Sequence, residues 1–197
     1  MATVAKTKKK ATKRKTATRK PAARSKARSA AFVPPPKLPI SFIVNGSSVQ
    51  TEAAAHTTLL YLLRDIGFTE VKNGCEAGDC GACTILIDGV AVNACCVLGV
   101  QAEGREIVTV KGIGTVDNLH PIQEKFIEHG AIQCGFCTPG MIVAAKALLD
   151  ANRRPSRDEI KAGIAGNLCR CTGYVKIIDA IEAAAQETAP RRGEGRK

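Results

Sequence analysis

The chain has 197 residues, 45% of them hydrophobic and 4% aromatic with no Trp, enough for one ordinary domain or two small compact ones. No apolar run reaches about 18 residues, and the stretch from Met141 to Leu149 is short and broken by Lys146, which argues against a membrane-spanning helix. The net charge of +11 belongs to the ends: residues 1–38 carry 13 of the 29 Lys and Arg and no acid, whereas residues 39–190 hold 12 basic against 17 acidic groups.

Residues 1–38 are low in complexity, with too few apolar groups to offset the entropy of ordering a backbone, and are expected to be a disordered basic tail. They show neither the apolar core of a secretory leader nor an adjacent arginine pair. Pro34, Pro35, Pro36 and Pro39 read as a stiff, extended spacer. From Ile40 the pattern becomes structured. Ile40 to Val44, a turn at Asn45-Gly46 and Ser47 to Thr51 predict a hairpin with a two-residue loop. Thr57 or Thr58 can cap a helix whose apolar face is Leu59, Leu60, Leu62, Leu63 and Ile66, with Gly67 ending it. A cysteine-rich loop follows. Thr84 to Ile87, Asp88-Gly89 and Val90 to Ala94 then predict a second hairpin, and Ile107 to Val110 a fifth strand.

After Gly114 the apolar period changes from two to 3.6. Ile122, Phe126 and Ile127 mark one helix, and Thr138-Pro139 is a cap and first-turn pair for a second that carries Ile142, Val143, Ala145 and Leu149. Ser156 with Glu159 forms a capping box for a third, and Val175, Ile178, Ile181 and Ala185 line a fourth. The expected class is α+β: a small β domain over residues 39–114, a four-helix domain over 115–188, and a basic C-terminus over 189–197.

Nine cysteines in an odd count, with tight spacing and no leader, point away from disulfides and towards metal or redox chemistry in a reducing compartment, so the cytoplasm is the expected location. Cys75, Cys80 and Cys83 stand in a C-x4-C-x2-C spacing on a glycine-rich loop, with Cys95 or Cys96 available as a fourth thiol. This is the plant-type ferredoxin spacing. Such a loop must wrap a cluster closely and aim backbone N–H groups at its sulfurs, which is what Gly74, Gly78 and Gly81 permit. A second quartet comprises Cys134 and Cys137, then Cys169 and Cys171 beyond 31 intervening residues. On spacing alone it suits zinc as well as a cluster. Its placement at helix N-terminal ends favours an anionic group.

The strings Gly74 to Thr84, Gln133 to Gly140 and Asn167 to Tyr174 closely resemble the small subunit of the xanthine dehydrogenase and aldehyde oxidase family, the molybdenum hydroxylases. The resemblance covers about residues 40–187. It implies a β-grasp ferredoxin domain followed by a four-helix domain, each with one [2Fe-2S] cluster. It makes Cys75, Cys80, Cys83 and Cys95 ligands of the first and Cys134, Cys137, Cys169 and Cys171 ligands of the second. Cys95 is preferred to Cys96 because the 11-residue gap after Cys83 resembles that of bacterial members. It further implies that Gln133 and Cys171 lie near the pterin of a molybdenum cofactor on a large partner subunit. Electrons would then leave to FAD on a medium subunit or to a haem protein.

No catalytic residue is assigned to this chain. His56, His120 and His129 read as surface or capping residues, and Gly112-Ile113-Gly114 is too short for a dinucleotide loop. The basic tail reads as a solvated extension with weak contacts to polyanions, a docking arm or address being the alternative. Two other readings stay open: a free-standing [2Fe-2S] carrier, and a zinc-stabilised nucleic-acid binder.

Overall fold

The computed structural model describes residues 35–188. The expected basic extensions therefore lie outside the described residues, apart from Pro35 to Leu38. Of these four, Lys37 and Leu38 already belong to the first strand.

Two hairpins form where the turn chemistry requires them. Strands β1 (Lys37–Val44) and β2 (Ser47–Ala54) are antiparallel and joined by Asn45 and Gly46, both at positive φ. Strands β3 (Thr84–Ile87) and β4 (Val90–Asn93) are joined in the same way by Asp88 and Gly89. Paired positive φ values match the twist of the flanking strands, which explains the Asn-Gly and Asp-Gly dipeptides. Strand β5 (Glu106–Val108) enters between the hairpins, parallel to β1 and antiparallel to β3, giving the order β2-β1-β5-β3-β4.

Alternation in β1 turns Ile40, Phe42 and Val44 inward. They meet Leu59, Leu60, Leu62 and Leu63 of helix α1 (Leu59–Asp65), together with Ile85 and Ile107, in one core. Thr58 is the cap residue of α1.

The fifth strand stops earlier than the apolar run suggests. Thr109 N–H donates to Asn45 Oδ1 at 2.8 Å, and Thr109 Oγ1 accepts from Lys111 N at 3.3 Å. These bonds divert the chain into a helical turn, α2 (Val110–Ile113). Val110 and Ile113 pack against the helical core although they precede residue 114.

Helices α3 (Pro121–Glu128), α4 (Thr138–Ala151), α5 (Arg157–Gly163) and α6 (Val175–Thr188) surround a second core of Ile122, Phe126, Met141, Ile160, Ile177 and Ile181. The Ser156 and Glu159 capping box of α5 forms as expected. Val175, expected on the buried face of α6, is exposed, because Ile177 and Ala184 complete that stripe, and Ile127 on α3 is exposed as well. Helix α4 begins with Thr138 inside it, so Cys137 rather than Thr138 occupies the cap position.

Candidate metal centres

The first cysteine loop is built onto α1. Arg64 Nη1 donates to Thr69 O at 3.1 Å and Val71 O at 2.8 Å, fixing where the loop leaves the helix. Glu76 is held at φ 57°, an unusual conformation for a residue with a side chain, by two donors to its Oε1: Tyr61 OH at 2.6 Å and Asn73 Nδ2 at 2.7 Å. This reversal aims the N–H groups of Ala77 and Cys80 at Cys75 Sγ, each at 3.4 Å. Those two amides, with the neighbouring Cys80 thiol, lower the Cys75 pKa to about 7. The loop also leaves no room for a side chain at Gly74, where a Cβ would lie 2.7 Å from Cys80 Sγ.

Cys83 and Cys95 lie deeper than Cys75. Both are buried in the sheet core. Burial pushes the Cys83 thiol up to about 12, with the adjacent Cys95 contributing. A thiol of that kind ionises only when a cation takes its proton's place, so metal binding and deprotonation are linked. Cys96 is exposed, with its Sγ 3.7 Å from that of Cys95.

The second quartet is gathered from two loops of the helical part. Cys134 and Cys171 are exposed, with their sulfurs 3.6 Å apart. Cys137 and Cys169 lie deeper and adjacent to one another. Burial pushes the Cys137 thiol up to about 12, helped by Cys169. For Cys169 burial also pushes upward, but the hydroxyl and amide of Thr172, the Cys171 amide and the Cys137 thiol outweigh it, and the thiol lies below its ordinary value. Thr172 Oγ1 donates to Cys169 Sγ at 3.1 Å, and Cys169 N donates to Tyr174 OH at 2.8 Å. Gln133 is exposed immediately before Cys134, near the front of this loop.

Thus the eight thiols stand as four neighbouring pairs: Cys75 with Cys80, Cys83 with Cys95, Cys134 with Cys171, and Cys137 with Cys169. Among the described residues no three His, Cys, Asp or Glu side chains are gathered for a single ion. The histidines keep to their expected places: His120 caps α3, His129 closes it, and His56 lies in an exposed turn.

The two cysteine loops abut. Asn167 Nδ2 donates to Gly81 O at 2.9 Å and to Thr84 Oγ1 at 3.1 Å, and Leu168 N donates to Cys80 O at 2.9 Å. The approach is so close that a Cβ on Gly140 would lie 2.2 Å from Gly81 O. Asn167 and Gly140 fall inside the motif strings, but nothing in spacing or periodicity assigns them this role.

Two family models match successive parts of the chain. Residues 42–107 match the family model of the 2Fe-2S iron-sulfur cluster binding domain, and residues 109–182 match that of the [2Fe-2S] binding domain. The chain is 46% identical over 154 residues to the nicotinate dehydrogenase small FeS subunit of Eubacterium barkeri, covering 78% of this chain and 98% of that protein. It is 45% identical over 144 residues to the xanthine dehydrogenase iron-sulfur-binding subunit of Escherichia coli O157:H7, covering 72% and 91%. The crystal structure of quinoline 2-oxidoreductase from Pseudomonas putida 86 superposes with a TM-score of 0.74 at 46% identity, over 80% of this chain and 98% of that one.

Proposed function

The chain belongs to the family of iron-sulfur subunits of molybdenum hydroxylases, and on that premise we propose that Cys75, Cys80, Cys83 and Cys95 hold one [2Fe-2S] cluster and Cys134, Cys137, Cys169 and Cys171 a second. Its role is electron transfer within an oxidoreductase.

The pairing of the thiols carries the ligand assignment. A two-iron cluster takes two thiolates on each iron, so four sulfurs arranged as two neighbouring pairs fit it. A structural zinc ion instead needs its sulfurs around one point. When bound, each cluster accepts and gives up a single electron. The protein's own contribution is placement and charge. The amides of Ala77 and Cys80 and the hydroxyl of Thr172 are aimed at ligand sulfurs, where they offset negative charge. The Leu168 to Cys80 hydrogen bond, one residue from Cys169, keeps the two ligand loops at fixed separation.

The exposed face around Cys134 and Cys171, with Gln133 beside it, is the side proposed to meet a large subunit carrying the molybdenum cofactor, where the substrate is oxidised. Gln133 is proposed to contact the pterin. The first cysteine loop, around the exposed Cys75, is proposed to face the acceptor, FAD on a medium subunit or a haem protein. The cytoplasm is the proposed compartment, supported by nine free thiols. No helix of the described residues is long and apolar enough to cross a membrane.

Anaerobic purification tests the reading. About four irons per chain with sulfide, an EPR signal from each cluster after dithionite, and co-purification with a molybdenum-containing subunit are expected. Colourless, sulfide-free material containing zinc would overturn it.

A further inference from the structure

Cys96 is the ninth thiol, outside both quartets. It closes the short 3-10 turn Ala94–Cys96, whose cap position is Asn93. Consecutive residues on a 3-10 turn point about a third of a revolution apart, so one of two adjacent cysteines faces the core and its neighbour faces away from it. Cys95 is indeed buried and Cys96 exposed, yet their sulfurs are only 3.7 Å apart. Exposed as it is, the Cys96 thiol has one side against protein. It rests on the first cysteine loop, where a Cβ at Gly78 would lie 2.7 Å from Cys96 Sγ. Gly78 stands between Cys75 and Cys80, so this fifth sulfur reaches into the span of loop that carries two of the ligands.

The contact is fixed from both sides. Asn93 Nδ2 donates to Gly78 O at 2.8 Å, and Asn93 Oδ1 lies 3.2 Å from the Thr84 hydroxyl. The residue that caps the cysteine turn therefore also holds the loop beneath Cys96. A single χ1 step between staggered wells carries a cysteine sulfur across most of a 3.7 Å gap without moving the backbone.

Resting on the ligand assignment above, we propose that Cys96 is a reserve ligand of the first centre, taking the place of Cys95 on iron when the Cys95 thiolate is lost. The exchange involves no oxidant: the Cys96 thiol gives its proton to solvent as its Fe–S bond forms, and a departing Cys95 thiolate takes one up. The first centre then has five thiols for four positions, and loss of one inner ligand leaves it filled.

The test uses the full chain, purified anaerobically, as wild type, Cys96→Ala, Cys95→Ala and the Cys95→Ala/Cys96→Ala double variant. Irons and sulfides per chain are counted, and EPR spectra are recorded after dithionite. Wild type and Cys96→Ala should hold about four irons with the same spectrum. Cys95→Ala should also hold about four, with one of its two signals shifted, and the double variant should fall to about two. Cys95→Ala falling to the level of the double variant overturns the proposal, as does loss of the first cluster in Cys96→Ala. If Cys95→Ala does not fold, Cys95→Ser preserves the volume of the buried side chain. Identical spectra for Cys95→Ser with and without Cys96→Ala would mean serine ligation and would also overturn it. Wild type without iron and sulfide is a different result, and refutes the metal assignment itself.

Discussion

Asn167 donates through Nδ2 to the carbonyl oxygen of Gly81, 2.9 Å away and 86 positions distant in sequence. This bond joins the loop of the first quartet to the loop of the second at a side chain only 5% exposed. Asn167 also reaches Thr84 Oγ1 at 3.1 Å, and its neighbour Leu168 bonds Cys80 O. Replacing Asn167 with Ala removes two buried hydrogen bonds, each contributing about 1 kcal/mol net. The expected result is a loss of about 2 kcal/mol, seen as an apparent melting temperature lower by about 4–8 °C. Iron content should persist, since no sulfur is removed. An unchanged melting temperature would show that the bond contributes nothing at this seam.

Gly140 tests the same seam with the opposite sign from helix propensity. Within a helix, Gly→Ala normally stabilises by about 1 kcal/mol. At Gly140 the added Cβ would lie 2.2 Å from Gly81 O, a backbone atom of the ligand loop. Overpacking of this kind costs about 1–3 kcal/mol, so Gly140→Ala should destabilise. Gly166, which has open space at its Cβ position, is the comparison. Gly166→Ala should be neutral or slightly stabilising in the same thermal melts. Equal behaviour of the two variants would contradict the close approach.

The local chemistry of this fold was readable because it is written in adjacent residues. Asn45-Gly46 and Asp88-Gly89 specify their turns, Ser156 with Glu159 specifies its cap, and the cysteine spacings name the ligand candidates. What stayed hidden depends on residues far apart. The end of β5 is set by Asn45 receiving the Thr109 amide from 64 positions away, against an apolar run that continues to Val110. Periodicity placed Val175 and Ile127 inward, but the neighbours that decide burial are on other helices. Spacing likewise could not separate Cys95 from Cys96, which the return of the β3–β4 hairpin to the loop decides, or pair Cys134 with Cys171, which two distant loops of the helical part bring together. The two neighbours differ in burial, Cys95 lying inside and Cys96 outside.

His120 gives the helical part a pH dependence. Its Nδ1 accepts from Ile122 N at 3.2 Å, capping α3, and it can accept only while neutral. Burial, then the nearby Lys146, lowers its pKa below the ordinary 6.5, while Asp150 and Glu124 act in the opposite sense. Arg153 lines the same surface pocket as His120, Lys146 and Asp150. With the folded value depressed, the stability that His120 contributes is fully present above about pH 6.5 and is lost as pH falls through the folded value. A cap of this kind is worth about 1 kcal/mol. Wild type should therefore lose about 2–4 °C more than His120→Asn between pH 7.5 and pH 5, because Asn caps at both. Parallel pH profiles for the two proteins would refute the assignment.

Thr172 should set the potential of the second centre. Its hydroxyl donates to Cys169 Sγ at 3.1 Å, and a donor to a ligand sulfur stabilises the more negative, reduced state more than the oxidised one. Thr172→Val keeps the shape and removes the donor, so the midpoint potential of that cluster should fall. A shift of about 50 mV is expected, nearly a tenfold change in the equilibrium of a one-electron couple. Thr172→Ser retains the hydroxyl and should stay near wild type. The potential of the first cluster should not move, because the donors aimed at its sulfurs come from Ala77 and Cys80. EPR-monitored redox titration of the three proteins reads both clusters separately. A rise in the second potential, or an equal shift of both, would show that the Thr172 hydroxyl does not act on Cys169.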